Sequence, residues 1–337
     1  MLALSGVAAE ETLTTAGAVR ELLPSQAAEK HPVKLSGVVT YFRSEKIPDF
    51  IVQDATGGVH VRQPNNGALM VAPGDEIELE GVTDAAVYAP RVDAKVVRRT
   101  GRAPVPLPIP VSVEEIQAGY HEGWLVEISA VVRATRIDPS IDPPRLVLSL
   151  ATPSGNVEAM VTRFGDGDLE RYGDAAVKVR GVSLRQANRR NEPYRWLLFV
   201  HSVEDIVITR PPPADPFAEP LTPIDGLLAG GPQQSRHRMH VRGVVTYNSD
   251  GMLVIQQGAT GVSLFPTQKS TAVPGDEIEV AGFVRLGMYN SVLEQALLRI
   301  VGPAGEPKSE EPDLAKLKPR ELAERDWCLV TVIGIAG

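Results

Sequence analysis

The chain has 337 residues, which at roughly 100 to 200 per domain allows two or three domains and excludes a peptide or mini-protein. Hydrophobic residues at 43% together with 30 Gly and 28 Pro describe a turn-rich globular protein, and one cysteine, Cys328, excludes an intramolecular disulfide framework and any Cys-based zinc site. Lys plus Arg number 34 against 42 Asp plus Glu; the net charge of -8 opposes a general grip on a phosphate backbone, so no nucleic acid is expected among the partners.

The first nine residues, MLALSGVAA, are small and apolar and end like a leader-cleavage site, so a clipped signal peptide is one reading of residues 1–11. A frayed cytoplasmic N-terminus is the other, because no positive charge precedes the apolar part. No run reaches the roughly 18 to 20 apolar residues of a membrane-spanning helix. Residues 12–30 read as a lead-in helix carried by Thr14 to Leu23.

An internal repeat then organises the chain. Val33-Lys34-Leu35-Ser36-Gly37-Val38-Val39-Thr40-Tyr41 returns as Met239-His240-Val241-Arg242-Gly243-Val244-Val245-Thr246-Tyr247, an offset of 206. Gln53-Asp54-Ala55-Thr56-Gly57 answers Gln257-Gly258-Ala259-Thr260-Gly261, and Pro73-Gly74-Asp75-Glu76-Ile77-Glu78 answers Pro274-Gly275-Asp276-Glu277-Ile278-Glu279. A divergent copy lies between them, with Ala130 at the glycine place and Tyr172-Gly173-Asp174 at the Pro-Gly-Asp place. A fourth copy opens at Asp326 to Gly334. The units alternate as A1 (31–111), B1 (112–212), a linker (213–236), A2 (237–312) and a truncated start of B2 (313–337).

Short helix-like phrases introduce the units, at Thr14 to Leu23, Ser112 to Ala118, Thr222 to Leu228 and Lys318 to Glu324, and read as spacers. Ser112 with Glu115 has capping-box spacing. Proline-rich linkers between units are extended and stiff, which predicts a rod-like array. Within a unit, apolar residues alternate with period two, and Gly37 interrupts the first strand at a bulge or tight bend. Five short antiparallel strands per unit predict an all-β fold of tandem OB-like five-stranded Greek-key barrels with short linker helices. An SH3-like barrel or a small sandwich satisfies the same strand count.

The phrases PVKLSGVVTYF, FIVQDATGGVHV, APGDEIELEGVT and VYAPRV resemble the OB-like repeats in the N-terminal region of large bacterial sensor histidine kinases of the acidobacterial, verrucomicrobial and planctomycete type. The resemblance covers residues from about 12 to the C-terminus. It implies a periplasmic sensory ectodomain that precedes a membrane segment and a kinase. The chain itself holds no phosphoacceptor or ATP-binding block, so any association with a membrane or kinase runs through a segment downstream.

No HExxH, GxSxG, P-loop or dinucleotide fingerprint is present, so neither catalysis nor a cofactor is expected. His237 and His240 are three apart, which on a strand sends them to opposite faces and makes them surface side chains rather than a metal pair. Gly165 to Glu170 has calcium-loop flavour but not the ordered loop, and reads as a solvated turn. The recurrent Gly-Asp pairs at Gly74-Asp75 and Gly275-Asp276 are what a tight turn requires. Glu76, Glu78 and Glu80 share a solvent face. The candidate ligand residues are the recurrent Tyr41, Tyr88, Tyr247 and Tyr289, together with Arg185, Arg189, Arg190 and Tyr194 in a segment that reads as a basic and aromatic barrel loop, also holding Arg195 and Trp196. Core packing accounts equally for the tyrosines. The expected partner is a small molecule, a glycan or a protein, bound by an extracytoplasmic sensory region or by a freestanding cell-envelope or oligosaccharide binder; single-strand nucleic-acid binding by the OB folds is a third reading, which the acidic balance opposes.

Overall fold

The computed structural model describes residues 11–64, 66–86, 89–187, 190, 192–227, 237–249, 251–287, 290–305, 309, 311, 316 and 327–331. The chain divides into two compact units, Met1–Arg210 and Pro211–Gly337.

In the first unit, α1 (Ala16–Arg20) and α2 (Pro24–Ala27) precede β1 (Pro32–Phe42), β2 (Phe50–Asp54), β3 (Gly57–Arg62), β4 (Asp75–Asp84) and β5 (Arg91–Arg102). These strands close into a barrel in the order β1-β2-β3-β5-β4, with β3 and β5 parallel. Alternation decides the faces: on β4, Ile77 and Leu79 enter the core while Glu76, Glu78 and Glu80 stand in solvent. The strand β1 serves two neighbours, pairing with β4 along one half and with β2 along the other. The bulge lies between Val39 and Tyr41, not at Gly37. Gly37 is needed for a different reason: a Cβ there would sit 2.7 Å from the Gln53 carbonyl oxygen.

The second barrel of this unit is built from β6 (Ile109–Pro110), α3 (Val113–Gln117), β7 (Leu125–Asp138), β8 (Arg145–Thr152), β9 (Gly155–Arg163), α4 (Asp168–Arg171), β10 (Ala176–Ala187), β11 (Pro193–Ser202) and β12 (Ile206–Arg210). Its sheet order is β12-β10-β11-β9-β8-β7-β6, and an added β10–β7 pairing closes the same five-stranded path. In the second unit, β13 (Arg238–Ser249), β14 (Met252–Gln257), β15 (Thr260–Pro266), β16 (Asp276–Leu286) and β17 (Ser291–Pro303) form a third barrel, closed as β13-β14-β15-β17-β16.

The introductory helical turns are barrel caps rather than spacers. Ala16 and Val19 of α1 join the core of the first barrel, Val113 and Ile116 of α3 that of the second, and Ile224 and Leu227 that of the third. The capping box at Ser112 and Glu115 forms as its spacing predicts. The phrase at Lys318 to Glu324 lies outside the described residues, as do residues 1–10.

Two repeat alignments shift by one residue. Gln53 faces Val38 and Gly58 across the sheet, and Gln256, not Gln257, faces the corresponding Val244 and Gly261. In the second barrel the residue that takes the left-handed turn conformation is Asp174 (φ 72), which donates its amide to Val132 as Gly74 (φ 88) does to Val39, so Asp174 is the counterpart of Gly74. Aspartate tolerates that region, which hides the shift from identity matching.

Candidate ligand-binding site

The two barrels of the first unit meet through their outer sheet faces. On β8, Leu146, Leu148 and Leu150 fill the core, so Arg145, Val147 and Ser149 face outward. On β11, Leu198 and Val200 fill the core, leaving Leu197, Phe199 and His201 outside. The first barrel covers one end of this face, where Tyr41 and Ile51 pack with Leu125 and Val182, and Leu184 and Phe199 flank the cluster. Tyr41 Oη lies 3.0 Å from Thr162 Oγ1, and its ring meets Phe199 edge-on at 5.7 Å. The Leu125 amide donates to Gln53 Oε1 at 2.9 Å. Close backbone approach seals the contact, since a Cβ on Gly58 would lie 1.9 Å from the Gly123 carbonyl oxygen.

The outer face of the second and third strands is where OB barrels hold ligands. In the second barrel that face is divided. The first barrel occupies one end and leaves a cleft of about 330 Å³ at the junction; the other end stays open as a groove of about 720 Å³ beside α3.

Five arginines (Arg20, Arg43, Arg91, Arg145 and Arg185) and two carboxylates (Asp49 and Glu122) line the cleft, with His60, Tyr41, Met160 and Phe199. Glu122 accepts from Arg20 at 2.8 Å and from Arg185 at 3.1 Å. Asp49 faces His60 at 3.2 Å, and Arg91 reaches Asp93 at 3.3 Å. Arg145 donates from Nη2 to the Arg43 carbonyl oxygen at 2.9 Å. Burial pushes the Tyr41 hydroxyl up from its ordinary pKa, with Arg145 acting in the opposite sense, and burial pushes the Arg145 guanidinium down. His201, beside Tyr41, is held below the usual histidine value by burial and by Arg163.

The open groove is lined by Gln117, Gly119, Ser149, Asn156, Glu158, Arg195 and Trp196, and it shares Arg185 with the cleft. The Arg185 guanidinium stands 5.7 Å from the Trp196 ring, and Arg195 pairs with Glu158 at 2.7 Å. The basic and aromatic segment is therefore a β10–β11 hairpin whose arms are strands, with Arg185 opposite Trp196, rather than a loop throughout.

Among the candidate residues, Tyr41 and Arg185 converge on the cleft. Tyr247, which holds the β13 position matching Tyr41, is 46% exposed where Tyr41 is 5% exposed. Arg190 is exposed; Tyr194 lies on β11, but its side chain is outside the described residues, as are Tyr88, Tyr289 and Arg189 altogether. His240 is buried, not at the surface, with Nδ1 2.7 Å from the Glu219 carbonyl oxygen. Asp168 accepts from the Gly165 amide at 2.8 Å, so that segment is a closed turn. Among the described residues no group of three His, Cys, Asp or Glu side chains is placed to hold a metal ion. Arg145, Arg43 and Arg20 escape sequence reasoning, because nothing local distinguishes them from surface arginines; the one signal is the position of Arg145 at the head of the apolar run LVLSL.

No protein-family model and no curated protein matches the chain. Solved structures do resemble it. The hypothetical protein ygiW from E. coli is 24% identical, covering 27% of this chain and 91% of its own, at a TM-score of 0.22. A murine DNA-binding protein bound with double-stranded DNA is 12% identical, covering 55% of this chain and 99% of its own, at 0.25. A replication protein A heterotrimer bound to single-stranded DNA is 13% identical, covering 60% of this chain and 52% of its own, also at 0.25. The expectation that nucleic acid is absent from the partners is overturned: DNA-bound proteins stand among the similar structures. The net charge of -8 also averages over local surfaces such as the arginine-lined cleft, so it does not exclude a polyanion.

Proposed function

We propose that the chain is a non-catalytic binding region in which the first two barrels hold a ligand in the cleft between them. In the finer form of this reading, the array is the extracytoplasmic sensory portion of a sensor kinase. The observation that carries the binding reading is the cleft itself: its walls come from both barrels, so a ligand there touches both and biases their docking. Its volume suits a small solute. Glu122, one of the two carboxylates that line it, is held between Arg20 and Arg185, an arrangement suited to holding charge rather than to proton transfer. The kinase and the compartment rest on the repeat phrases alone.

A thermal-shift screen of cell-envelope solutes tests the binding reading, with Ala89→Trp filling the cleft as the control. A hit abolished by Ala89→Trp supports it. A full-length gene product that signals unchanged after deletion of residues 31–210 overturns the sensory reading.

The open groove favours a second reading. Trp196 flanked by Arg185 and Arg195 offers a stacking ring and cations to a single nucleic-acid strand or an oligosaccharide. A salt titration separates the two, since strand binding weakens steeply with salt and glycan binding does not.

A further inference from the structure

We infer that Arg145 anchors a small anion, the carboxylate or phosphate group of a solute, in the cleft between the first two barrels. The inference rests on the cleft being the binding site and adds the chemical class of what it binds.

Arg145 is 2% exposed, yet no carboxylate lies within salt-bridge range of it among the described residues. Its Nη2 is satisfied by the Arg43 carbonyl oxygen, while its buried Nη1 has no hydrogen-bond partner. Arg43, the charged neighbour supplying that carbonyl, has the same sign. An arginine does not escape this position by losing its proton, because the guanidinium stays charged in proteins. A buried, unpaired cation is costly unless an opposite charge joins it. The other buried charges of the cleft are handled differently: Glu122 lies between Arg20 and Arg185, and Asp49 faces His60. Among the described residues, Arg145 is therefore the buried arginine of the cleft that has no carboxylate partner, and it lines a cavity where arginines outnumber carboxylates. The planar guanidinium suits a carboxylate or phosphate oxygen pair. Met160 and Phe199 supply apolar wall for the remainder of a solute.

The test is calorimetric titration and thermal denaturation of the whole chain at constant ionic strength, with inorganic phosphate, succinate and neutral glucose as probes against a chloride background. The expected result is saturable one-to-one stabilisation by phosphate or succinate and none by glucose. Arg145→Met should weaken it at least about tenfold, the equivalent of a lost charged hydrogen bond, and Arg145→Lys should retain part of it. Arg145→Met should fold, because methionine removes a buried charge; a near-ultraviolet dichroism spectrum matching the parent verifies this. Absence of saturable binding by either anion, or equal binding by Arg145→Met, overturns the inference. Binding kept by Arg145→Met but lost in Ala89→Trp leaves the cleft as the site and removes the anion anchor. Binding kept by Ala89→Trp removes both.

Discussion

Replacing Gly58 with alanine should unlock the two barrels of the first unit. A Cβ at this position would lie 1.9 Å from the Gly123 carbonyl oxygen and 2.8 Å from its carbon. Side chains do not approach below about 3.0 Å, so the barrels must part by roughly 1 Å. The hydrogen bond from the Leu125 amide to Gln53 Oε1, now 2.9 Å, does not survive that separation, and the Tyr41, Ile51, Leu125 and Val182 cluster opens with it. Forced overpacking costs about 1–3 kcal/mol, and a lost hydrogen bond adds about 0.5–1.5 kcal/mol. The expected loss is about 2–4 kcal/mol, read as a lower urea midpoint for the first unit. Hydrogen exchange at the Leu125 amide should accelerate in the same variant. Gly173→Ala is the matched control, because nothing lies within 4 Å of a Cβ there and its φ is ordinary. A Gly58→Ala protein with the parent midpoint and a protected Leu125 amide would refute the docking argument.

Tyr41→Phe removes the hydroxyl bonded to Thr162 and should cost about 0.5–1.5 kcal/mol, whereas Tyr247→Phe, at an exposed position, should leave the denaturation midpoint unchanged. Asp75→Ala deprives the half-buried Ala72 amide of its acceptor as well as removing the pairings with Arg99 and Arg102, with an expected loss of about 1–3 kcal/mol by urea unfolding. The ion pairs add little to that loss, since both arginines are exposed. The hydrogen bond from Lys30 holds Asp84 down at about 2, below its usual 3.8. A depressed carboxylate stabilises the fold above the unfolded pKa and loses that contribution as pH falls from about 4 to 2. Asp84→Asn should therefore flatten the acid limb of the stability curve in that window, and an unchanged limb would remove the assignment.

The strands, the tandem repeats and the Greek-key barrels are legible in the amino-acid order because each depends on local chemistry. Alternation along Glu76 to Glu80 states which side faces water, Gly74 and Gly275 mark left-handed turns, and Ser112 with Glu115 starts a helix. Identity matching fails where composition and register separate. The Gln-x-Ala-Thr-Gly phrases align letter for letter, but the strand pairing within each barrel makes Gln256 the counterpart of Gln53, since side-chain direction follows the ladder.

The site was legible only in part. Tyr41 and Tyr247 stand at matching places in near-identical phrases, and sequence treats them alike; packing against Thr162 and Phe199 buries one, and the other remains exposed. Arg145 reads as one arginine among many, and its unmatched Nη1 follows from neighbours about a hundred residues away at Arg43. The sequence by itself thus determined the barrels and their repetition, through period, turn residues and caps that act over a few positions. Only the tertiary structure decided which barrel faces meet, which charges are left without partners and where a cleft opens, because those depend on contacts between segments far apart in the chain.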